Sequence, residues 1–129
     1  MCRVINDKSE IEKYVYSFFF CISDIQLQRI LSRFARKEGF GEEFMGFLFS
    51  DEIDESFHAY GKLKNNQILF SIDQPAANED CEAYLSFEEF YKYIETAINR
   101  VIQDGYEKYD ELEIRKLLAK VKQALNVLQ

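Results

Sequence analysis

One segment of the chain has the ligand spacing of a calcium-binding loop. The oxygen-ligand positions 1, 3, 5, 7, 9 and 12 of an EF-hand loop would here be Asn78, Asp80, Glu82, Tyr84, Ser86 and Glu89. The sixth position, however, is Ala83, where the sharp turn needs glycine, and Pro75 stands where an incoming helix should be. We therefore expect a capped helix start with no metal or other cofactor, and a calcium-responsive adaptor is the alternative.

Catalytic chemistry has few residues on which to depend. His58 is the sole histidine, so any histidine-dependent triad or multi-histidine metal site would have to include it. Four carboxylates close in sequence more often form a solvated or partner-facing turn than a catalytic pair; here they are Asp51, Glu52, Asp54 and Glu55. We expect no enzymatic activity and no catalytic residues, and a small hydrolase that uses His58 with an acidic partner is the alternative.

The middle of the chain is strongly acidic. Residues 38–91 contain thirteen Asp and Glu but only Lys62 and Lys64 as basic residues, whereas both flanks are slightly basic. Concentrated like charge favours a surface that attracts a basic partner, and it opposes contact with nucleic acid phosphates. The charge pattern thus predicts a protein-binding role and no direct nucleic acid partner.

The apolar run Tyr14–Ile22 is too short to span a bilayer, and acidic residues stand where a signal peptide would be basic. We expect a cytoplasmic protein without a membrane partner. The three cysteines, Cys2, Cys21 and Cys81, have no metal-binding spacing, which favours reduced, structural thiols.

Helical periodicity dominates both ends of the chain. An apolar stripe predicts a helix over Ser9–Cys21, and the capping box that begins at Ser23 predicts a second, ending near Gly39. Gly41–Phe49 is apolar with a period near 3.6, which predicts a short third helix. Two further capping boxes, at Ser86 and at Asp110, each predict the start of a C-terminal helix.

Between these helices the pattern changes to strict alternation. Ser56–Leu63 and Gln67–Asp73 are predicted strands joined at Lys64-Asn65-Asn66, residue types suited to a β-hairpin turn, and Glu82–Leu85 is a possible third strand. The prediction is an α+β fold with a helical N-terminal part, a small antiparallel sheet and two C-terminal helices. One domain over residues 1–129 fits this size and composition.

Three segments resemble the immunity proteins of bacterial contact-dependent growth inhibition (CDI), in the group that neutralises ribonuclease toxins. They are Phe34–Phe44, Asn66–Pro75 and Tyr84–Tyr91. The resemblance covers nearly the whole chain and implies a small cytoplasmic protein that binds the C-terminal toxin domain of a cognate secreted effector. Such a protein would block the toxin's active site, and the toxin would be a basic nuclease.

The expected contact residues combine clustered carboxylates with neighbouring aromatic or polar anchors, because carboxylates speed association with a basic partner and aromatic anchors retain it. They are Asp51, Glu52, Asp54, Glu55, Phe57, His58, Tyr60, Glu79, Asp80 and Glu82. An acidic protein-interaction module of another pathway is a further alternative.

Overall fold

The structure is a computed structural model that describes residues 3–20, 22–42, 44–50, 66–104 and 108–127. Within these ranges the helices are α1 (Lys8–Phe20), α2 (Asp24–Ala35), α3 (Phe87–Asp104) and α4 (Glu111–Ala124). The strands are β1 (Arg3–Val4), β2 (Phe40–Glu42), β3 (Met45–Phe49), β4 (Gln67–Ile72) and β5 (Cys81–Ser86). The predicted α+β class is confirmed.

The five strands form one mixed sheet in the order β1-β5-β4-β3-β2. β1 runs parallel to β5, and the other neighbours are antiparallel. The two predicted strands that fall on described residues are confirmed as β4 and β5, whereas the predicted strand Ser56–Leu63 lies outside the described residues. The sheet is therefore larger than the predicted hairpin with one added strand.

The predicted helix over Gly41–Phe49 is wrong, because its described residues form the hairpin of β2 and β3. Gly41 and Gly46 face each other across this hairpin, where their lack of side chains lets the two backbones approach closely. In β3 the side chains of Phe47 and Phe49 are buried and Leu48 between them is exposed. This is strand alternation, which a short apolar run cannot separate from helical spacing.

The helix starts follow the predicted caps. Ser23 Oγ accepts a hydrogen bond from the Gln26 amide, and Asp110 accepts one from the Glu113 amide. At the start of α3, Ser86 Oγ accepts from the Glu89 amide at 3.0 Å while a Glu89 carboxylate oxygen accepts from the Ser86 amide at 2.9 Å. This reciprocal pair is the predicted capping box.

The end of α2 differs from the prediction. The helix was expected to end near Gly39, but Lys37 takes the left-handed conformation with φ 58°. The amides of Lys37 and Glu38 donate to the carbonyls of Phe34 and Arg33, respectively, at 2.9 Å. These two bonds form a Schellman motif, which directs the chain into β2.

A cluster of phenylalanine rings joins the sheet to the helices. The Phe47 ring stacks on Phe70 of the neighbouring strand with centroids 4.4 Å apart and an interplanar angle of 8°. It also meets Phe18 of α1, Phe34 of α2 and Phe90 of α3 edge-on, at centroid separations of 5.1, 5.7 and 5.3 Å. Since Phe47 is only 1% exposed, it lies at the centre of the core on the helix-covered face of the sheet.

Candidate functional site

The two ends of the sheet carry different connections. At one end, which we call the loop end, β2 turns into β3 at Phe44, and residues 73–80 join β4 to β5. At the opposite end, β3 finishes at Phe49 and β4 begins at Gln67, where Phe49 pairs with Ile68. The segment between these two strands is therefore attached to the end of the sheet opposite residues 73–80.

Most of the predicted contact residues belong to that segment and lie outside the described residues. They are Asp51, Glu52, Asp54, Glu55, Phe57, His58 and Tyr60. The other three predicted residues, Glu79, Asp80 and Glu82, lie at or next to the loop end. The predicted contact residues thus divide between two parts of the chain that are attached to opposite ends of the sheet.

Glu79 and Asp80 are both exposed, with different roles in the loop. Glu79 pairs with Arg3 through an Oε1–Nε distance of 3.0 Å, and Arg3 also pairs with Glu10 at 2.6 Å. Asp80 Oδ1 accepts a hydrogen bond from the Gln74 amide at 2.9 Å, which closes residues 74–80 into a compact loop. Glu79 therefore contributes a charge that is paired with Arg3, whereas Asp80 fixes the shape of the loop.

Of the three predicted contact residues that the structure describes, Glu82 is the least accessible, at 8% exposure. Its carboxylate accepts a hydrogen bond from the Tyr84 hydroxyl at 2.7 Å. Both side chains lie on the face of β5 opposite the buried residues Cys81, Ala83 and Leu85, as strand alternation requires. Little of the Glu82 surface is left for a partner to contact. Any contribution of Glu82 to binding would therefore act through the Tyr84 side chain, to which it is hydrogen-bonded.

The candidate calcium loop does not form a ligand cage. Its central positions run along β5, so that successive side chains point to opposite faces of the sheet. Asp80 closes the 74–80 loop, Glu82 bonds to Tyr84, and Glu89 caps α3. Across the ranges that the structure describes, no three His, Cys, Asp or Glu residues are grouped so that they could hold a metal ion.

The thiol of Cys81 is fully buried and in no disulfide. Burial raises the pKa of this thiol, because a thiolate would lose its hydration there. A thiol that stays protonated is a poor nucleophile. Cys81 therefore has the properties of a structural residue, whereas Cys2 and Cys21 lie outside the described residues.

The loop end also contains a groove that the sequence did not predict. It has a volume of about 450 Å³ and lies between the α1–α2 junction and the β2–β3 hairpin; its lining is Ser17, Phe18, Ile22, Gln26, Glu42, Phe44, Met45 and Ala76. Glu42 and Met45 also border a shallow depression of about 530 Å³, which includes Gly41, Gly46 and Ser71. The hairpin thus separates two concave surfaces, with the Glu42 carboxylate between them.

Phe44 is 40% exposed at the edge of the groove. In the sequence it falls within the predicted Gly41–Phe49 helix, which conceals its position in a turn. An aromatic residue between two glycine-containing strands was the available signal, since such a residue lies at a hairpin tip if the segment is extended.

No helix in the described part of the chain has both the length and the apolar character needed to cross a membrane.

A family model described as CDI immunity protein matches residues 8–118, from the start of α1 into α4. Neither the curated proteins nor the solved structures contain a match to the chain. Since the family match covers the described helices and strands apart from β1 and the end of α4, the chain belongs to the CDI immunity protein family, whose members bind and neutralise a toxin.

Proposed function

We propose that the chain acts as a single domain in the cytoplasm, where it binds the C-terminal toxin domain of a cognate secreted effector. In this proposal the toxin is a basic nuclease, most simply a ribonuclease, and the protein acts by covering the nuclease active-site surface without any catalysis of its own. Family membership supports the toxin partner. The nuclease assignment rests on charge.

The observation that carries this proposal is the acidic middle of the chain, with thirteen carboxylates against two lysines in residues 38–91. A nuclease must present positive charge to the phosphates of its substrate. A protein that covers this surface benefits from clustered carboxylates, which accelerate association and match the charges that become buried.

We assign two roles to the contact residues. The carboxylates of Asp51, Glu52, Asp54 and Glu55, with Glu79 and Asp80 from the loop end, attract and orient the toxin. Phe57, His58 and Tyr60 supply anchors that hold it, and Glu82 contributes through Tyr84. Charges at the rim of an interface mainly change the association rate, whereas buried anchors dominate the dissociation rate.

The experiment reverses the charge of the four clustered carboxylates in residues 51–55 and measures both protection and binding. Changing Asp51, Glu52, Asp54 and Glu55 together to Lys should abolish protection of cells that express the toxin domain of the effector that we expect to be encoded beside this protein. With the unaltered protein, association with that purified domain should slow markedly as salt is raised from low to physiological concentration, while dissociation changes less.

A matched control reverses four carboxylates on the helices outside residues 38–91, namely the exposed Glu12, Asp104 and Glu111 and the half-buried Glu113. This variant has the same net charge as the test variant, so it separates the position of the charge from its amount. It should still protect. The proposal is wrong if the variant with Asp51, Glu52, Asp54 and Glu55 reversed folds, as judged by its melting temperature, and protects as well as the unaltered protein.

A further inference from the structure

The loop end of the sheet combines an exposed aromatic side chain with a preformed groove. Phe44 lies at the turn between β2 and β3, and its carbonyl accepts a hydrogen bond from the Asp73 amide at 2.7 Å. The turn is therefore fastened to the end of β4 by the backbone, and the ring itself is left partly exposed at 40%. Aromatic side chains, phenylalanine among them, are enriched in protein interfaces.

The groove beside Phe44 has rigid apolar walls. Phe18 and Ile22 are 4% and 5% exposed, and Phe18 is packed edge-on against Phe47 with ring centroids 5.1 Å apart. Met45 forms the strand side of the groove, next to Phe44. Because these side chains are already held by the core, an incoming apolar side chain would not have to order them.

The lining of the groove contains one carboxylate, Glu42, and no basic side chain, although Arg33 lies in the neighbouring depression. Glu42 is positioned by the Gln26 side chain, whose Nε2 donates to its carboxylate at 2.7 Å. Asp73 and Asp80 are exposed in the adjoining loop. Arg3, at the same end of the sheet, is already paired with Glu10 and Glu79. The surface therefore suits a partner that presents cationic side chains around an apolar one.

We propose that the loop end is a second contact surface for the toxin domain, with Phe44 as its aromatic anchor and the neighbouring groove receiving an apolar side chain flanked by Lys or Arg. This inference rests on the proposed function, because it takes the basic toxin domain as the occupant. It places binding energy at residues other than Asp51, Glu52, Asp54 and Glu55, at the end of β4 opposite Gln67.

The test measures binding kinetics of the same purified toxin domain. Phe44→Ala should raise the dissociation constant by about 30-fold, chiefly through faster dissociation, as expected for a central aromatic anchor. Phe44→Lys keeps a long side chain at the turn but repels a basic partner, and it should weaken binding by about 100-fold or more. Glu42→Gln should slow association at low salt by less than about 5-fold and change dissociation little.

Leu112→Ala is the matched control, since Leu112 is an even more exposed apolar residue, at 70%, in the acidic first turn of α4. It should change binding by less than about 2-fold, as for most peripheral residues. Melting temperatures check that every variant is folded. Should Phe44→Ala misfold, Phe44→Lys carries the test, because a charged side chain suits an exposed turn.

The outcomes separate this inference from the proposed function. If the unaltered protein binds and protects while both Phe44 variants bind within about 2-fold of it, the loop-end surface is refuted and the proposed function stands. If the unaltered protein does not bind the toxin domain, the proposed function fails, and the occupant proposed for the groove fails with it.

Discussion

The two glycines of the β2–β3 hairpin make a sharp test of how closely these strands approach. A Cβ atom added at Gly46 would lie 3.0 Å from the Gly41 Cα and 3.4 Å from the Phe40 carbonyl oxygen. One added at Gly41 would meet the Met45 carbonyl oxygen at 3.6 Å and the Gly46 Cα at 3.7 Å, which is ordinary contact. The same substitution should therefore have different effects at two positions that face each other.

The magnitudes follow from two opposing effects. Replacing glycine by alanine in an extended backbone stabilises a protein by about 0.4–1 kcal/mol, because it restricts the unfolded chain. Crowding against backbone atoms costs about 1–3 kcal/mol. Gly41→Ala should thus be neutral or slightly stabilising, whereas Gly46→Ala should lower the free energy of unfolding by about 1–2 kcal/mol.

Thermal and urea unfolding measure the difference. A chain of 129 residues has an unfolding entropy near 270 cal/mol/K, so 1 kcal/mol corresponds to about 4 °C in melting temperature. Gly46→Ala should melt about 4–8 °C below the unaltered protein, and Gly41→Ala should melt within about 3 °C of it. Equal melting temperatures for the two variants would refute the close approach of β2 and β3.

Two further predictions concern the core and the response to pH. Phe47→Ala should reduce the free energy of unfolding by about 3–5 kcal/mol because it leaves a cavity among the phenylalanine rings that surround it, and Phe47→Leu should cost clearly less. A loss below about 1 kcal/mol on denaturant unfolding of the alanine variant would contradict the central position of this ring. Burial, with help from Glu95, raises the pKa of Tyr91 to about 12. Since tyrosine in the unfolded chain ionises near 10, the stability that neutral Tyr91 provides should be complete below about pH 10 and disappear as pH rises towards 12. Tyr91→Phe should remove this part of the alkaline loss, so its melting temperature should fall less between pH 9 and 11 than that of the unaltered protein, and parallel curves would exclude the assignment.

The helices were predictable because their information is local. The caps Ser23, Ser86 and Asp110 bond to amides three residues ahead, and apolar stripes identify the buried faces. The start of α1 at Lys8, one residue before the prediction, is within the ordinary uncertainty of helix ends.

The hairpin was not predictable because its cause is not local. Met45, Phe47 and Phe49 lie in a strand because β4 pairs with them, and nothing within residues 41–49 records that pairing. β1 is only two residues long and exists through its bonds to β5, so no period could indicate it.

The sequence shows where carboxylates are concentrated, but it does not show which side chains of the candidate site are exposed. Counting carboxylates locates the acidic middle of the chain, whereas the exposure of Phe44 and the burial of Glu82 depend on tertiary contacts. Glu82 shows the limit of charge counting, since a carboxylate that bonds to Tyr84 on a strand has the same sequence signature as one in a solvated loop.

The segment that contains residues 51–55 joins one end of β4, and the 73–80 loop joins the other. This arrangement affects how the binding free energy could be divided between the two. Six residues of extended chain span about 17 Å, too far for one side chain of a partner to reach from one attachment point to the other. If both regions hold the toxin, each contact raises the effective concentration of the other, as in a bivalent ligand. Substitutions at one end would then weaken the complex by a limited factor while the other end keeps the partner nearby. Substitutions in one contact region could then change which toxin is preferred, while the other contact region still holds the toxin.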